Sequence, residues 1–338
     1  MTRSSPLPAE LGPVADLAAV AGASSSQWVL LTEDGRLARF DADAPRAATA
    51  VAARVALPPE PPQERVLHGQ VVRRRLHVSR DGRFAAVVSD FGRHGQVVDL
   101  DTGGVTLSLD GGFHHAYTVP FSFAFTEERG RTLAVHRTGW NRLDLSEALS
   151  GELLTARDPG RHRLDYFHGA LSVSPRGTRI ADDGWVWHPL GVPSVWNLRS
   201  WAGGRAGESE DGRTRRELAW RDYFWNAPQC WIDERRLAVT GLHGVGPRQD
   251  SPARGVRVFD AVWRRELIVL PEVEGALFAA GGLLYAASPR GLETWDPATG
   301  ELLGSVEGFV PTHHHAGAGE FAVFDGTALH RRPLPVAG

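Results

Sequence analysis

The chain has 338 residues, 42% of them apolar, with a net charge of −3, one cysteine (Cys230) and no lysine. That length allows two ordinary domains or one large repeat domain, and 38 Gly with 22 Pro favour strands and turns over helices. The absent lysine excludes P-loop nucleotide chemistry, kinase chemistry and pyridoxal Schiff bases. The lone cysteine excludes an intrachain disulfide and cysteine-based metal clusters, and the charge balance offers no basic field for nucleic acid. The opening residues Met1 to Pro8 have no apolar segment of the signal-peptide kind, and no run reaches membrane-span length. A cytoplasmic protein without a membrane partner is expected.

In chain order, one pattern recurs. An apolar run is followed by a glycine-bearing turn, a second apolar run, a tight turn, and a third run that closes on an aromatic or aliphatic residue plus Asp. Copies lie at Trp28 to Asp41, Leu76 to Ser89, Leu171 to Gly177, Val256 to Asp260 and Leu292 to Asp296. A period of roughly 40–50 residues built from short strands predicts an all-β, single β-propeller domain. Seven four-stranded blades are expected, approximately at 14–57, 65–109, 113–157, 164–220, 222–271, 275–306 and 308–335. The last unit is one strand short. Residues before Val14 are expected to supply its outer strand, so that the ends of this chain close the ring and remove an exposed edge.

These residues resemble a WD40-type β-propeller. Ser79-Arg-Asp-Gly82 and Ser174-Pro-Arg-Gly177 are similar to that family's turn after the innermost strand. Trp295-Asp296 followed by Pro-Ala-Thr-Gly-Glu-Leu-Leu is similar to its third strand and outer hairpin. The resemblance is architectural: the family's Gly-His pair is out of register here, and most Trp-Asp positions hold Phe-Asp, Val-Asp or Trp-Asn. It implies a scaffold that recognises partners, the usual work of such proteins.

In this architecture, the loops that lead into each inner strand and the loops between second and third strands share one face, called here the upper face. They carry His68, His114, His115, His168, His313, His314, His315, His94, His136, His188 and His243, eleven of the fourteen histidines. Two chemistries suit such a face. Imidazoles are common ligands for iron, copper and zinc. His115, His168, His243 and His314 are the best four for an axial metal, similar in style to the four axial histidines of carotenoid-cleaving oxygenases. Asp165 and Asp222 would be supporting carboxylates. In the triple His313-His-His315, strand alternation sends His314 one way and its neighbours the other.

The other chemistry is recognition of a partner protein, peptide or small molecule. Trp140, Trp185, Trp187 and Trp225 are candidates for a platform, with Asp165, Tyr166, Asp182, Asp222 and Tyr223 beside them. The Asp-Tyr-Phe element before two successive inner strands, at Asp165 and Asp222, also reads as repeat structure packing between blades. Trp28, Trp196, Trp263 and Trp295 are expected in the core, Cys230 as a buried inert thiol, and the charged stretch Glu208 to Glu217 as a solvated loop. Of the two functions, binding on the upper face is the primary expectation and a metal-dependent enzyme the alternative.

Overall fold

A computed structural model describes residues 2–47, 49–60, 70–158, 164–242 and 255–335. Seven antiparallel sheets form a ring, each with its first strand innermost. The inner strands are Val14–Ala19, Arg73–Val78, Phe123–Glu128, Phe167–Val173, Gln229–Trp231, Ala276–Ala280 and His313–His315. In the third blade the outer position narrows to a single bridge between Ser146 and Leu153. In the fourth it is divided between Arg216–Glu217 and Arg221–Asp222, which both pair with Leu190–Asn197. The ring closes where Arg3–Pro6 pairs with Ala328–Pro333, in the register Arg3 with Arg331 and Pro6 with Ala328. The protein is therefore a single seven-bladed β-propeller, as its repeat pattern predicts.

The recurrent Asp that ends each third run has a local cause. Asp41, Asp99, Asp260 and Asp296 accept backbone N–H bonds from residues two positions on, at 2.7–3.0 Å. Each side chain thus folds the turn into the outer strand, the usual work of Asp at a turn. The Ser turns act similarly. Ser79 Oγ donates to Asp81 at 2.6 Å and accepts from Phe84 N–H at 2.9 Å, and Gly82 takes the positive φ of 74° that the turn requires.

Seven apolar clusters lie one at each junction between blades, and an eighth, Val119 with Phe167 and Trp185, lies under the upper face. Leu17, Trp28 and Leu30 pack against Ala322 and Leu329 where blade seven meets blade one. Trp295 closes the junction of blades five and six, and Trp196 with Trp201 that of blades three and four. Trp28, Trp196 and Trp295 are buried as expected, whereas Trp263 is 72% exposed. It sits in the hairpin after Val256–Asp260, where Asp260 holds its N–H at 3.0 Å and the side chain projects outward.

The stretch from Glu208 corrects the expectation of a solvated loop. Glu208, Ser209 and Glu210 are all buried. Glu208 accepts from Thr214 N–H at 2.8 Å, and Glu210 forms an ion pair with the equally buried Arg157. Charged residues in an insertion fold inward here because each carboxylate finds donors. Cys230 packs against the core of blades five and six, and burial pushes its thiol up to about 12. It is an un-ionised thiol at neutral pH.

Candidate functional site

The upper face of blades three to five carries one continuous aromatic cluster, assembled from four loops and the strand ends beside them. The loop 111–122 before blade three brings His114 and His115, with the exposed Phe113 preceding them in the chain. The turn 139–142 brings Trp140. Phe167 opens the inner strand of blade four, the turn 185–189 brings Trp185 and Trp187, and the loop before blade five brings Trp225. Phe167 stacks on Trp185 at 4.2 Å between centroids, and Trp185 stacks on Trp225 at 4.9 Å. Trp140 lies 4.6 Å from Phe167, and Trp187 lies 5.5 Å from His115 and 5.7 Å from Trp185. The four tryptophans singled out in the sequence thus share one site. Trp185 and Phe167 are its buried floor, Trp140 and Trp225 are half-buried, and Trp187 is 58% exposed.

Polar bonds lock the loops together below the rings. Thr118 is the node: its hydroxyl donates to His115 O at 2.8 Å and accepts from Trp185 Nε1 at 3.3 Å. Its carbonyl accepts from Trp225 Nε1 at 3.1 Å and Asn226 Nδ2 at 2.8 Å. His115, Tyr223 and Asn226 all adopt left-handed backbone, with φ of 50°, 51° and 56°. Such strain in non-glycine residues persists only where surrounding bonds hold it, and it gathers at functional loops. Burial, then the neighbouring His114, hold the His115 imidazole below its ordinary pKa.

Two buried carboxylates support this floor. Asp182 accepts Gly169 N–H at 2.8 Å and lies 2.6 Å from His168 Nδ1, both side chains being nearly inaccessible. Asp183 is paired with the buried Arg221 and accepts Ala227 N–H at 2.7 Å. Burial raises the Asp183 pKa, and Arg221 opposes that rise. Arg221 in turn donates to Thr240 O at 2.7 Å. Asp183 therefore ties both ends of the 221–227 loop that carries Trp225.

The two Asp-Tyr-Phe elements play different parts. Tyr166 is buried: its hydroxyl donates to Val192 O at 2.9 Å and accepts Gly184 N–H at 2.8 Å, and burial holds its pKa well above the ordinary value. Tyr223 is 52% exposed on a left-handed backbone. Asp165 is exposed and Asp222 half-buried.

The histidines of the proposed axial set are dispersed. His115 belongs to the aromatic cluster, and His168 is buried against Asp182. His314 lies in the central channel between Phe278 and Phe321, and His243 lies outside the described residues. Among the described residues, no three His, Cys, Asp or Glu side chains stand together as a metal site. Those present do not fit an axial metal.

Strand alternation divides the triple as expected. His313 and His315 meet Trp28 edge-on at 6.1 and 5.3 Å, while His314 faces the other blade. His315 has a structural task, donating from Nε2 to Gln27 O at 2.9 Å and accepting Ala318 N–H at Nδ1 at 3.1 Å. The channel itself has a volume of about 1960 Å³, with His77, Phe123, Val173, Trp231, Phe278 and His314 among its lining, and extends to the turns after the inner strands.

Sequence reading missed Phe113, 74% exposed, and Thr118. Phe113 precedes His114 in an upper-face loop, which is a usable signal. Nothing local marks Thr118 as the acceptor for both Trp185 and the loop of Trp225 and Asn226.

No family model matches the chain, and no curated protein matches it. Among solved structures 808 chains match, so the likeness identifies an architecture shared by many proteins. One of them comes from the "Crystal Structure of Mitotic Checkpoint Complex". It has a TM-score of 0.56 and 10% identity, over 99% of this chain and 91% of that one. At that identity the likeness shows the fold alone, a seven-bladed β-propeller. Among the described residues, no helix is long and apolar enough to cross a membrane.

Proposed function

We propose that this propeller is a binding protein and that its working surface is the aromatic upper face of blades three to five. The observation that carries the reading is the graded exposure of one stacked cluster. A rigid floor of Phe167 and Trp185 supports half-buried Trp140 and Trp225, and leaves Trp187 58% open to solvent. Exposed rings held rigid from beneath lose little entropy on binding and offer a large contact area, which is why aromatic residues dominate interface hot spots. An extended peptide segment of a partner protein suits a row of rings that crosses three blades. The similar chain found in the mitotic checkpoint complex belongs to an assembly of proteins, which agrees with this reading.

Selection from a random-peptide display library on the intact protein tests it, with Trp187→Ala as the comparison protein. Peptides won on the wild type should bind Trp187→Ala at least about ten-fold more weakly, because a central exposed ring is a typical hot spot. Peptides that bind both proteins equally would place the working surface elsewhere.

A further inference from the structure

The platform sits in an unbalanced electrostatic setting. Among the described residues, the arginines of the loops around it are already engaged. Arg93 grips Asp110 through two bonds of 2.6 and 2.5 Å, Arg142 bonds Asp144 at 2.9 Å, and Arg221 is paired with buried Asp183. The carboxylates are not all matched. Exposed Asp165, two residues from Phe167, and half-buried Asp222, three residues from Trp225, have no ion pair or side-chain hydrogen bond among the described residues. Asp222 pairs in register with Leu190, and the next residue, Tyr223, donates its N–H to Pro189 O at 2.9 Å. This places Asp222 beside the turn that carries Trp187. Among the described residues, exposed rings with electron-rich faces thus share the surface with two unpaired carboxylates and no free arginine.

We infer that the ligand of this platform presents a cationic side chain, arginine or lysine, to the exposed rings and to Asp165 and Asp222. The inference rests on the binding-platform reading and specifies its partner: a basic peptide segment. The chain itself supplies the precedent for the contact. The Arg93 guanidinium lies 5.9 Å from the centroid of Phe113 while held by Asp110, and Arg221 lies 5.3 Å from that of Phe224 while held by Asp183. A cation between a ring face and a carboxylate is therefore a geometry that this fold already builds twice on the same face. A guanidinium suits it because it is planar, always charged and able to stack.

The same display selection, run on wild type, Trp187→Ala and the double variant Asp165→Asn with Asp222→Asn, provides the test. Among the described residues both substituted carboxylates lack side-chain hydrogen-bond partners, so the double variant should fold; a circular dichroism melt checks it. Selected peptides should be enriched in Arg or Lys. The double variant should bind them about five- to ten-fold more weakly, and replacing the peptide's basic residue by Gln should remove most of that difference. Affinity should also fall between 50 and 300 mM NaCl.

Peptides without basic residues, or peptides indifferent to the loss of both carboxylates yet weakened by Trp187→Ala, would overturn the cationic partner and leave the platform standing. Peptides indifferent to Trp187→Ala would overturn the platform itself.

Discussion

Asp183 fixes a surface loop from inside the protein. Its two oxygens serve different masters, Arg221 at the start of the 221–227 loop and Ala227 N–H at its end. Both members of the ion pair are almost inaccessible. A buried pair of this kind adds little over a well-packed apolar alternative, but removing one partner leaves the other charge buried and unmatched. Asp183→Ala should therefore destabilise the fold by roughly 3–5 kcal/mol, read from urea unfolding. It should also release Trp225 from Thr118, read as a red shift of tryptophan emission. Asp183→Asn retains an acceptor and should cost less. A loss below about 1 kcal/mol for the alanine variant would mean that water replaces the carboxylate, and that the loop is held by its ring contacts alone.

At the scale of elements, the strand Arg3–Pro6 is the latch of the ring. It completes blade seven with a four-residue ladder, and its side chains add to the hydrogen bonding. Ser5 Oγ donates to Ala42 O at 2.7 Å and accepts from Arg331 Nη2 at 3.1 Å. Arg331 is buried and reaches on to Ala42 O at 2.7 Å and Asp43 at 2.8 Å, so blade seven is riveted to blade one. Removing residues 2–7 would leave Ala328–Pro333 as an open edge and Arg331 with fewer acceptors. The thermal transition should broaden and fall, and gel filtration should reveal association through the freed edge. An unchanged, monomeric melt would show that three strands suffice for the last blade.

The latch was legible beforehand because blade counting left one strand missing. The hairpin turns were legible too, since Asp, Ser and Gly act through bonds only two or three residues long. The outer strand of blade three and the inward fold of Glu208 and Glu210 were not. Glu210 depends on Arg157, some fifty residues away, and Glu208 on Ser200 and Thr214 within its own insertion; sequence patterning reports periodicity rather than such side-chain partners. For the same reason the four tryptophans of the platform could be assigned to one face, but their stacking through Phe167 and their shared acceptor Thr118 could not be read in advance.

For the whole molecule, the histidines matter less as a ring of ligands than as a set of neutral groups distributed among blades. Burial lowers His136 to about 4 in blade three, His77 to about 3 in blade two and His314 to about 4 in blade seven. Each titrates near 6.5 in an unfolded chain. Above pH 7 they are neutral in both states and cost the fold nothing. As pH drops through 6.5 the unfolded chain binds protons that the native protein refuses. Stability is then lost until the native groups themselves protonate near pH 4 and 3. Each histidine within its window contributes a slope of about 1.4 kcal/mol per pH unit.

Carboxylates cannot mimic this interval. Asp34 and Asp110 are lowered to about 2 by Thr32 and Arg93, first among their partners, so their share is lost only below about pH 4. Asp90 and Asp183, raised by burial, shift stability in the opposite sense. Urea midpoints of the wild type should consequently fall from pH 7.5 to pH 5. The fall should be shallower in His136→Phe, which removes an imidazole held between Asp144 and Ser146 in the wall of blade three. His77→Phe should flatten it further, and because His77 packs on Phe123, the register partner of His136, the double variant measures how the two steps couple. A wild-type midpoint that is level across this interval would mean that these imidazoles take up protons without unfolding, and that the packing around them opens more readily than the seven inter-blade cores imply.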